Sequence, residues 1–319
     1  MKYDQHKERT FTNTWNNFDI EFKSKKKNLL SIFLKKIKKK IKKIFKIKIN
    51  ITKLENITDS SFSSYQNDKQ LLNFKNTLLE KKIVLFLKKL NIKNQNNNIK
   101  KYIKEFNKIY FNSPIKHLGS GMGYNQGLFV FIIIKIIKPT DVIESGVMRG
   151  FTTYLIDKST NQNTKIHCYD ISFEKLLYKS PKAVYHMGDI ETKLPEFKGN
   201  KILSLYDDHV SHLHRLELSK KLKVKYNIFD DDLNFLNFHS DGWPPLPTIN
   251  MLKNYDKIKV FFKNKKILKW ISQNRKGEIN LNIFKKEVII KKNYKYNIFP
   301  ELFEITGYRN HGQTSILIL

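Results

Sequence analysis

Acidic side chains follow several short apolar runs between residues 141 and 232. They are Glu144, Asp170, Asp189, the pair Asp207 and Asp208 with His209 beside it, and the run Asp230, Asp231 and Asp232. Ligands of open α/β sheets bind outside the carboxyl ends of the strands, so we expect these groups to lie along one rim. Carboxylates there can accept hydrogen bonds from ligand hydroxyls, hold a hard cation or support a general base.

A glycine-containing turn follows the first of these runs. Gly146 lies two residues after Glu144, and Gly150 lies four residues further on. Glycine lets the backbone turn tightly and approach a ligand, and the start of a following helix offers unpaired amide groups. The turn therefore predicts a ligand site, although a strand-to-helix turn without a ligand has the same pattern.

Apolar runs that alternate with helical segments predict the elements that position these side chains. Strands are expected near residues 141–145, 165–170, 183–187, 201–206 and 224–229, with helices near 150–159, 172–179 and 210–221. A helical region should follow over 248–272, and ELFEITG and TSILIL should form a terminal antiparallel hairpin. This order predicts a Rossmann-like α/β fold with a mostly parallel sheet.

Asp170 is the residue with the clearest binding role. It ends the second predicted strand, about 20 residues after the glycine turn, where nucleotide-binding βαβ units keep a carboxylate for the ribose hydroxyls. Asp189 follows the next strand, and a surface-loop aspartate is the alternative reading for it.

The acids around Asp208 and Asp230 suggest a cation. Five carboxylates and one imidazole that converge on one rim repel one another unless they are protonated or neutralised, so Mg²⁺ is a reasonable occupant. The alternative is that some of these acids cap the helix that starts near Val210 and face solvent.

The segment from Asp141 to Thr153 resembles the first motif of the class I S-adenosylmethionine (SAM)-dependent methyltransferases, with a strand, an acid, Gly146 and Gly150. The resemblance implies that Glu144, Gly146 and Gly150 bind the cofactor, with Glu144 and Gly146 at its methionine end. It places Asp170 at the ribose and Asp189 at the adenine. It extends over residues 138–240 and the terminal hairpin, and leaves residues 1–100 uncovered.

The acid cluster is similar to that of metal-dependent sugar O-methyltransferases of the macrocin type and of cephalosporin-hydroxylase-like proteins. That similarity implies a metal held by Asp208, Asp230 and Asp231, with His209 as general base and Asp208 beside it in catalysis. Two departures stand out. The first motif lacks the middle glycine of its commonest version, and no Asn-Pro-Pro-Tyr-like motif is present, which argues against N6-adenine methylation.

Composition and charge limit the kinds of protein that this chain can be. The formal charge of +31 arises from 60 Lys and Arg against 29 Asp and Glu, but Lys, Asn and Ile are abundant throughout, so only local clusters of charge are informative. One cysteine, Cys168, excludes an intramolecular disulfide framework and predicts a cytoplasmic protein. No stretch reaches the length of a membrane span, and the apolar run over 127–137 predicts a buried helix beside the sheet.

Residues 28–49 form the strongest local cluster of charge. Their apolar residues recur at helical spacing and lysines occupy most other positions, which predicts a basic amphipathic helix. Such a helix can bind an anionic membrane surface as a peripheral anchor, or it can dock on the main domain; both readings are equally supported. Nucleic acid is a weaker partner, since a phosphate-binding patch would favour arginine with interleaved aromatics and this segment consists mainly of lysine and isoleucine.

Three segments follow from this reading: a basic, partly disordered segment over 1–66, a helical extension over 67–137 and the methyltransferase-like domain over 138–319. A glycine-rich loop at 113–123 precedes the apolar helix and either closes over the cofactor or simply connects two elements. The predicted function is SAM-dependent O-methylation of a sugar, glycan or small-metabolite hydroxyl. The alternative is a non-catalytic methyltransferase-like protein that binds a ligand or partner at a membrane surface.

Overall fold

The computed structural model describes residues 69–93, 98–115, 122–236, 243–272, 275–285, 293–310 and 312–319. The predicted helix over 28–49 and most of the glycine-rich loop lie outside these residues. The described helices are α1 (Lys69–Lys89), α2 (Ile99–Phe111), α3 (Tyr124–Ile137), α4 (Phe151–Ser159), α5 (His212–Lys221), α6 (Ile249–Ile258) and α7 (Phe303–Thr306). The strands are β1 (Asp141–Ser145), β2 (Lys165–Asp170), β3 (Ala183–Met187), β4 (Ile202–Tyr206), β5 (Tyr226–Phe229), β6 (Ile267–Ser272), β7 (Arg275–Asn280), β8 (Lys295–Ile298) and β9 (Ser315–Ile318).

A seven-stranded sheet organises the chain, in the order β3-β2-β1-β4-β5-β9-β8. The first five strands are parallel, and β9 runs antiparallel to both β5 and β8. All five residues of β1 and of β4 are buried, as expected for central parallel strands with both faces covered. The predicted α/β fold, mostly parallel with a terminal antiparallel hairpin, is confirmed.

Helices cover the sheet and complete its core. The predicted buried helix over 127–137 is confirmed as part of α3, which begins at Tyr124 and has twelve buried residues among its fourteen. Side chains of α1 and α2, including Phe86 and Phe106, belong to the same apolar cluster as Val142 of β1. Among the described residues, no helix has the length and apolar character that crossing a membrane requires.

Three sequence predictions about the elements were wrong. Residues 172–179 do not form a helix, because the backbone N–H groups of Leu177 and Tyr178 donate to the carbonyl of Arg149 instead of to a helical turn. This contact ties the segment after β2 to the start of α4.

The region after residue 248 also differs from the prediction. Helix α6 ends at Ile258, a 3-10 turn follows over Lys259–Phe262, and Ile267–Ser272 pairs with Arg275–Asn280 as a separate hairpin. In the terminal hairpin, β9 pairs with β8 rather than with ELFEITG. The Glu301 carboxylate accepts the N–H groups of Leu302 and Phe303, which favours the short helix α7 over a strand.

Candidate functional site

The carboxyl ends of β1, β4 and β5 carry unusual backbone geometry. Met148, His209 and Asp231 follow these three strands, and each has a left-handed φ, at 50°, 56° and 51°. Such conformations cost about 1–3 kcal/mol for residues other than glycine and cluster at functional sites. Three of the six non-glycine residues with a left-handed φ among the described residues thus lie on the rim that the sequence predicts as the ligand site; the others are Asn91, Lys138 and Lys223.

The glycine turn after β1 is closely packed against the end of β4. Gly146 has φ +91°, and a Cβ atom there would lie 2.1 Å from the carbonyl oxygen of Asp207. Gly150, at φ +83°, precedes α4, and a Cβ there would lie 2.6 Å from the carbonyl oxygen of Tyr178. Both glycines are required by backbone packing around the turn, a role that the sequence pattern alone does not distinguish from ligand contact.

Asp170 closes the turn from the end of β2. One carboxylate oxygen accepts the N–H groups of Val147 and Met148, each at 2.8 Å, and the other accepts the N–H of Ser172 at 3.2 Å. The side chain is only partly buried. The structure thus brings Asp170 and the glycine turn together, as the sequence predicts for one cofactor site.

Glu144 lies under α4 instead of on the rim. Its side chain is fully buried, and one oxygen accepts hydrogen bonds from Thr153 Oγ1 at 2.6 Å and from Cys168 Sγ at 3.3 Å. The other oxygen, Oε1, is buried without a hydrogen-bond partner. Burial raises the pKa of Glu144 to about 8, so this carboxyl is protonated near neutral pH.

Arg215 joins two of the predicted site residues. Its guanidinium donates to both oxygens of Asp189, at 3.1 and 2.6 Å, and its Nε and Nη2 lie 2.8 and 2.6 Å from Oδ2 of Asp208. Asp208 also accepts from Ser145 Oγ and from the N–H of Val210. Burial alone would lower the pKa of Arg215, but the two carboxylates raise it above its ordinary range.

This buried cation neutralises two of the acids on the rim. Arg215 is 1% exposed and sits between two carboxylates that belong to different loops. Arg215 is absent from the site predicted from the sequence, in which a metal ion has the neutralising role. A signal was available, since the chain has only five arginines among its 60 basic residues, and a planar, bidentate guanidinium is what two adjacent carboxylates require.

His209 and Asp231 form a second contact on the rim. The Nδ1 atom of His209 lies 3.8 Å from Oδ2 of Asp231, and 31% of the His209 side chain is exposed. Asp230 accepts a hydrogen bond from Thr314 Oγ1. The third acid, Asp232, is fully buried and accepts from Tyr296 Oη and from the N–H of Asn250, so it holds β8 and α6 in place.

The three residues predicted to hold a metal have separate partners. Asp208 is engaged by Arg215, Asp230 by Thr314, and Asp231 lies near His209. Within the described part of the chain, no group of three His, Cys, Asp or Glu side chains is arranged to hold a metal ion. As placed, these carboxylates do not fit a Mg²⁺ site, and the predicted metal binding stays a prediction.

The end of the glycine-rich loop is connected to the same rim. The N–H of Gly123 donates to Gln126, whose amide donates to Thr314 Oγ1 at 3.0 Å, and Thr314 donates to Asp230. Gln126 and Thr314 were not singled out from the sequence, because buried hydrogen-bonding partners 188 residues apart have no local signature.

Comparisons with known proteins give fold-level likeness only. No family model matches the chain, and no curated protein matches its sequence. Solved structures similar to this chain include a putative O-methyltransferase from Klebsiella pneumoniae, with 8% identity over 74% of this chain and 94% of that chain and a TM-score of 0.35. Another is the O-methyltransferase from Bacillus cereus with SAH, with 12% identity over 69% and 91% and a TM-score of 0.36. A third is CmcI with Mg and SAM, with 14% identity over 50% and 69% and a TM-score of 0.32.

The strand order and the antiparallel β9 decide the fold independently of these low scores. The chain has a Rossmann-like α/β fold. Fold alone does not define a reaction, so the activity has to be inferred from the rim.

Proposed function

We propose that this chain is a SAM-dependent O-methyltransferase that acts on a hydroxyl group of a sugar, glycan or small metabolite. The observation that supports it most directly is the pairing of Asp170 with the glycine turn at the carboxyl ends of β2 and β1. In open α/β sheets this edge, near the reversal of strand order between β1 and β4, is where ligands bind.

The residues of this turn fit the cofactor. Asp170 accepts three backbone N–H groups, and a carboxylate has about four acceptor positions, so one remains for a ribose hydroxyl. Gly146 and Gly150 have no side chains, so the turn can pass close to the backbone of the neighbouring loops. Asp189 and Asp208 are engaged by Arg215, so in this proposal they shape the rim around the adenine and the acceptor. When bound, SAM supplies an electrophilic methyl group.

Proton removal is assigned to His209. The Asp231 carboxylate faces Nδ1, which favours the tautomer with its proton on that nitrogen and leaves Nε2 to take the proton of an acceptor hydroxyl. The exposed part of the imidazole gives an acceptor access to it. Much of the rate would come from aligning the acceptor oxygen with the methyl group.

Calorimetric titration with SAM and S-adenosylhomocysteine, with and without Mg²⁺, tests the cofactor assignment. Asp170→Ala should abolish binding, whereas Glu174→Gln, which removes an exposed acid four residues further on, should leave it unchanged. Thermal unfolding of both variants checks that the turn still folds. Binding that survives in Asp170→Ala would contradict the proposal, and an unmodified protein that binds neither compound would favour the non-catalytic alternative.

Membrane recruitment through residues 28–49 is a separate proposal, supported by the basic amphipathic pattern of that segment. Deletion of the segment should abolish sedimentation of the protein with anionic liposomes. Equal sedimentation of the two proteins would leave the segment with a packing role.

A further inference from the structure

A basic cavity of about 430 Å³ opens at the amino ends of the strands, opposite the rim that carries the proposed site. Six of its fourteen lining residues are lysines, and among these described residues there is no Asp or Glu. The six are Lys93, Lys135, Lys138, Lys201, Lys225 and Lys295. Basic residues make up 60 of 319 in the whole chain, so the cavity is enriched beyond the general composition.

Three of these lysines have a local explanation. Lys135 and Lys138 lie at the end of α3, and Lys93 follows α1; cations near helix carboxyl ends are favoured by the helix dipole. Lys135 is also paired with Glu105, whose carboxylate lies 2.6 Å from its Nζ. These contacts account for one side of the cavity without any ligand.

The other three have neither a helix-end position nor an acidic partner among the described residues, and Lys225 Nζ lies over the Tyr226 ring, 5.5 Å from its centroid. Lys201 precedes β4, Lys225 precedes β5 and Lys295 begins β8, so all three stand at one edge of the sheet. The register confirms the alignment, since Ile318 of β9 pairs with both Tyr226 and Lys295. All three side chains are exposed, and within the described residues none has an ion pair. Like charges held together by strand order repel one another until an anion binds.

We propose that this cavity binds a compact anion carrying two or more phosphates. Lysine acts as a point charge toward phosphate, and several converging lysines suit adjacent phosphates better than a single one. The volume is that of a small-molecule site. Ile92, Ile136 and Tyr102 give the cavity an apolar wall, against which the carbon part of a ligand can pack.

This binding site is distinct from the methyltransferase site. The two lie at opposite ends of the same parallel strands, and a five-residue strand such as β4 spans roughly 15 Å. A ligand here is therefore neither the cofactor nor the acceptor. The phosphates can belong to a soluble compound or to a lipid headgroup.

The test compares two variants with the same change in charge. One is Lys201→Gln with Lys225→Gln and Lys295→Gln, and the control is Lys263→Gln with Lys265→Gln and Lys266→Gln, three exposed lysines on one turn outside the cavity. All proteins keep residues 1–68, so any contribution of the amino-terminal segment cancels. Calorimetry with pyrophosphate and orthophosphate is one arm. Sedimentation with vesicles that contain phosphatidylinositol bisphosphate, or phosphatidylserine at equal charge, is the other.

We expect the cavity variant to lose at least about tenfold in affinity for the polyphosphate probe and the control to lose less than about twofold. Loss confined to pyrophosphate identifies a soluble ligand, and loss confined to the bisphosphate vesicles identifies a headgroup. Because the three side chains are exposed, both variants should unfold at the temperature of the unmodified protein; if the cavity variant does not, single Lys→Gln variants should show a graded loss. Equal weakening of both triple variants, or no preference for either polyphosphate probe over its single-phosphate counterpart, overturns the proposal.

Discussion

Glu144→Gln should remove much of the loss of stability that the protein undergoes as the pH rises from neutral to alkaline. The Glu144 carboxyl is fully buried, and burial raises its pKa from 4.5 to about 8. A carboxyl with a raised pKa in the folded state binds its proton more tightly there than in the unfolded chain. Stability therefore falls as the pH rises from about 4.5 to about 8 and then levels off.

The magnitude follows from these two pKa values. Each pH unit within the window corresponds to about 1.4 kcal/mol, so the whole gap amounts to about 5 kcal/mol. Between about pH 6 and pH 9 the unmodified protein should lose roughly 3 kcal/mol that Glu144→Gln does not lose. Gln keeps an acceptor for Thr153 and places its amide nitrogen where Oε1 already lacks a partner. The cost of its unpaired N–H groups is the same at every pH, so the pH dependence isolates the contribution of the carboxyl.

Urea unfolding at several pH values measures the difference. Glu174→Gln is the matched control, because it removes the same charge from an exposed side chain and should follow the pH dependence of the unmodified protein. Stability curves for Glu144→Gln and the unmodified protein that run parallel from pH 6 to pH 9 would refute the reasoning.

Three further predictions concern the rim. Arg215→Met leaves two largely buried carboxylates without their cation and should lower the free energy of unfolding by about 3–5 kcal/mol at neutral pH. Urea unfolding measures the loss, and a variant within about 1 kcal/mol of the unmodified protein, as for an exposed ion pair, would speak against it. Gly146→Ala would place a Cβ at a positive φ and 2.1 Å from the backbone of Asp207. Gly307→Ala is the control, because Gly307 has a similar φ of +80° but open space around it. Urea unfolding should show Gly146→Ala to be less stable than Gly307→Ala by at least about 2 kcal/mol. His209→Asn places at this position a residue that tolerates the left-handed backbone. It should lower the rate of methyl transfer in single-turnover kinetics by about 100-fold or more and leave the SAM affinity measured by calorimetry unchanged. An unchanged rate would show that His209 is not the base.

Local patterns in the sequence were enough to predict the parallel strands of the sheet and the contact between Asp170 and the glycine turn. The five parallel strands are short apolar runs that end in turn residues or acids, a signal that does not depend on the rest of the chain. Asp170 and the glycine turn were predictable for the same reason, since their spacing along one βαβ unit brings them together. The terminal strand β9 was predicted correctly and its partner wrongly, because a short mixed segment such as ELFEITG suits a strand or a helix until its end contacts are known.

Only the tertiary structure decided which charges meet. Arg215 reaches Asp189 and Asp208 because α5 carries its side chain to the loops that follow β3 and β4, and no local pattern of sequence encodes that approach. The same holds for the basic cavity, whose lysines are up to 202 residues apart in a chain where lysine is common everywhere. The sequence by itself determined that acids and bases would be present; their pairing depended on strand order and helix packing, because electrostatic interactions act through distance in the folded chain and not through spacing along it.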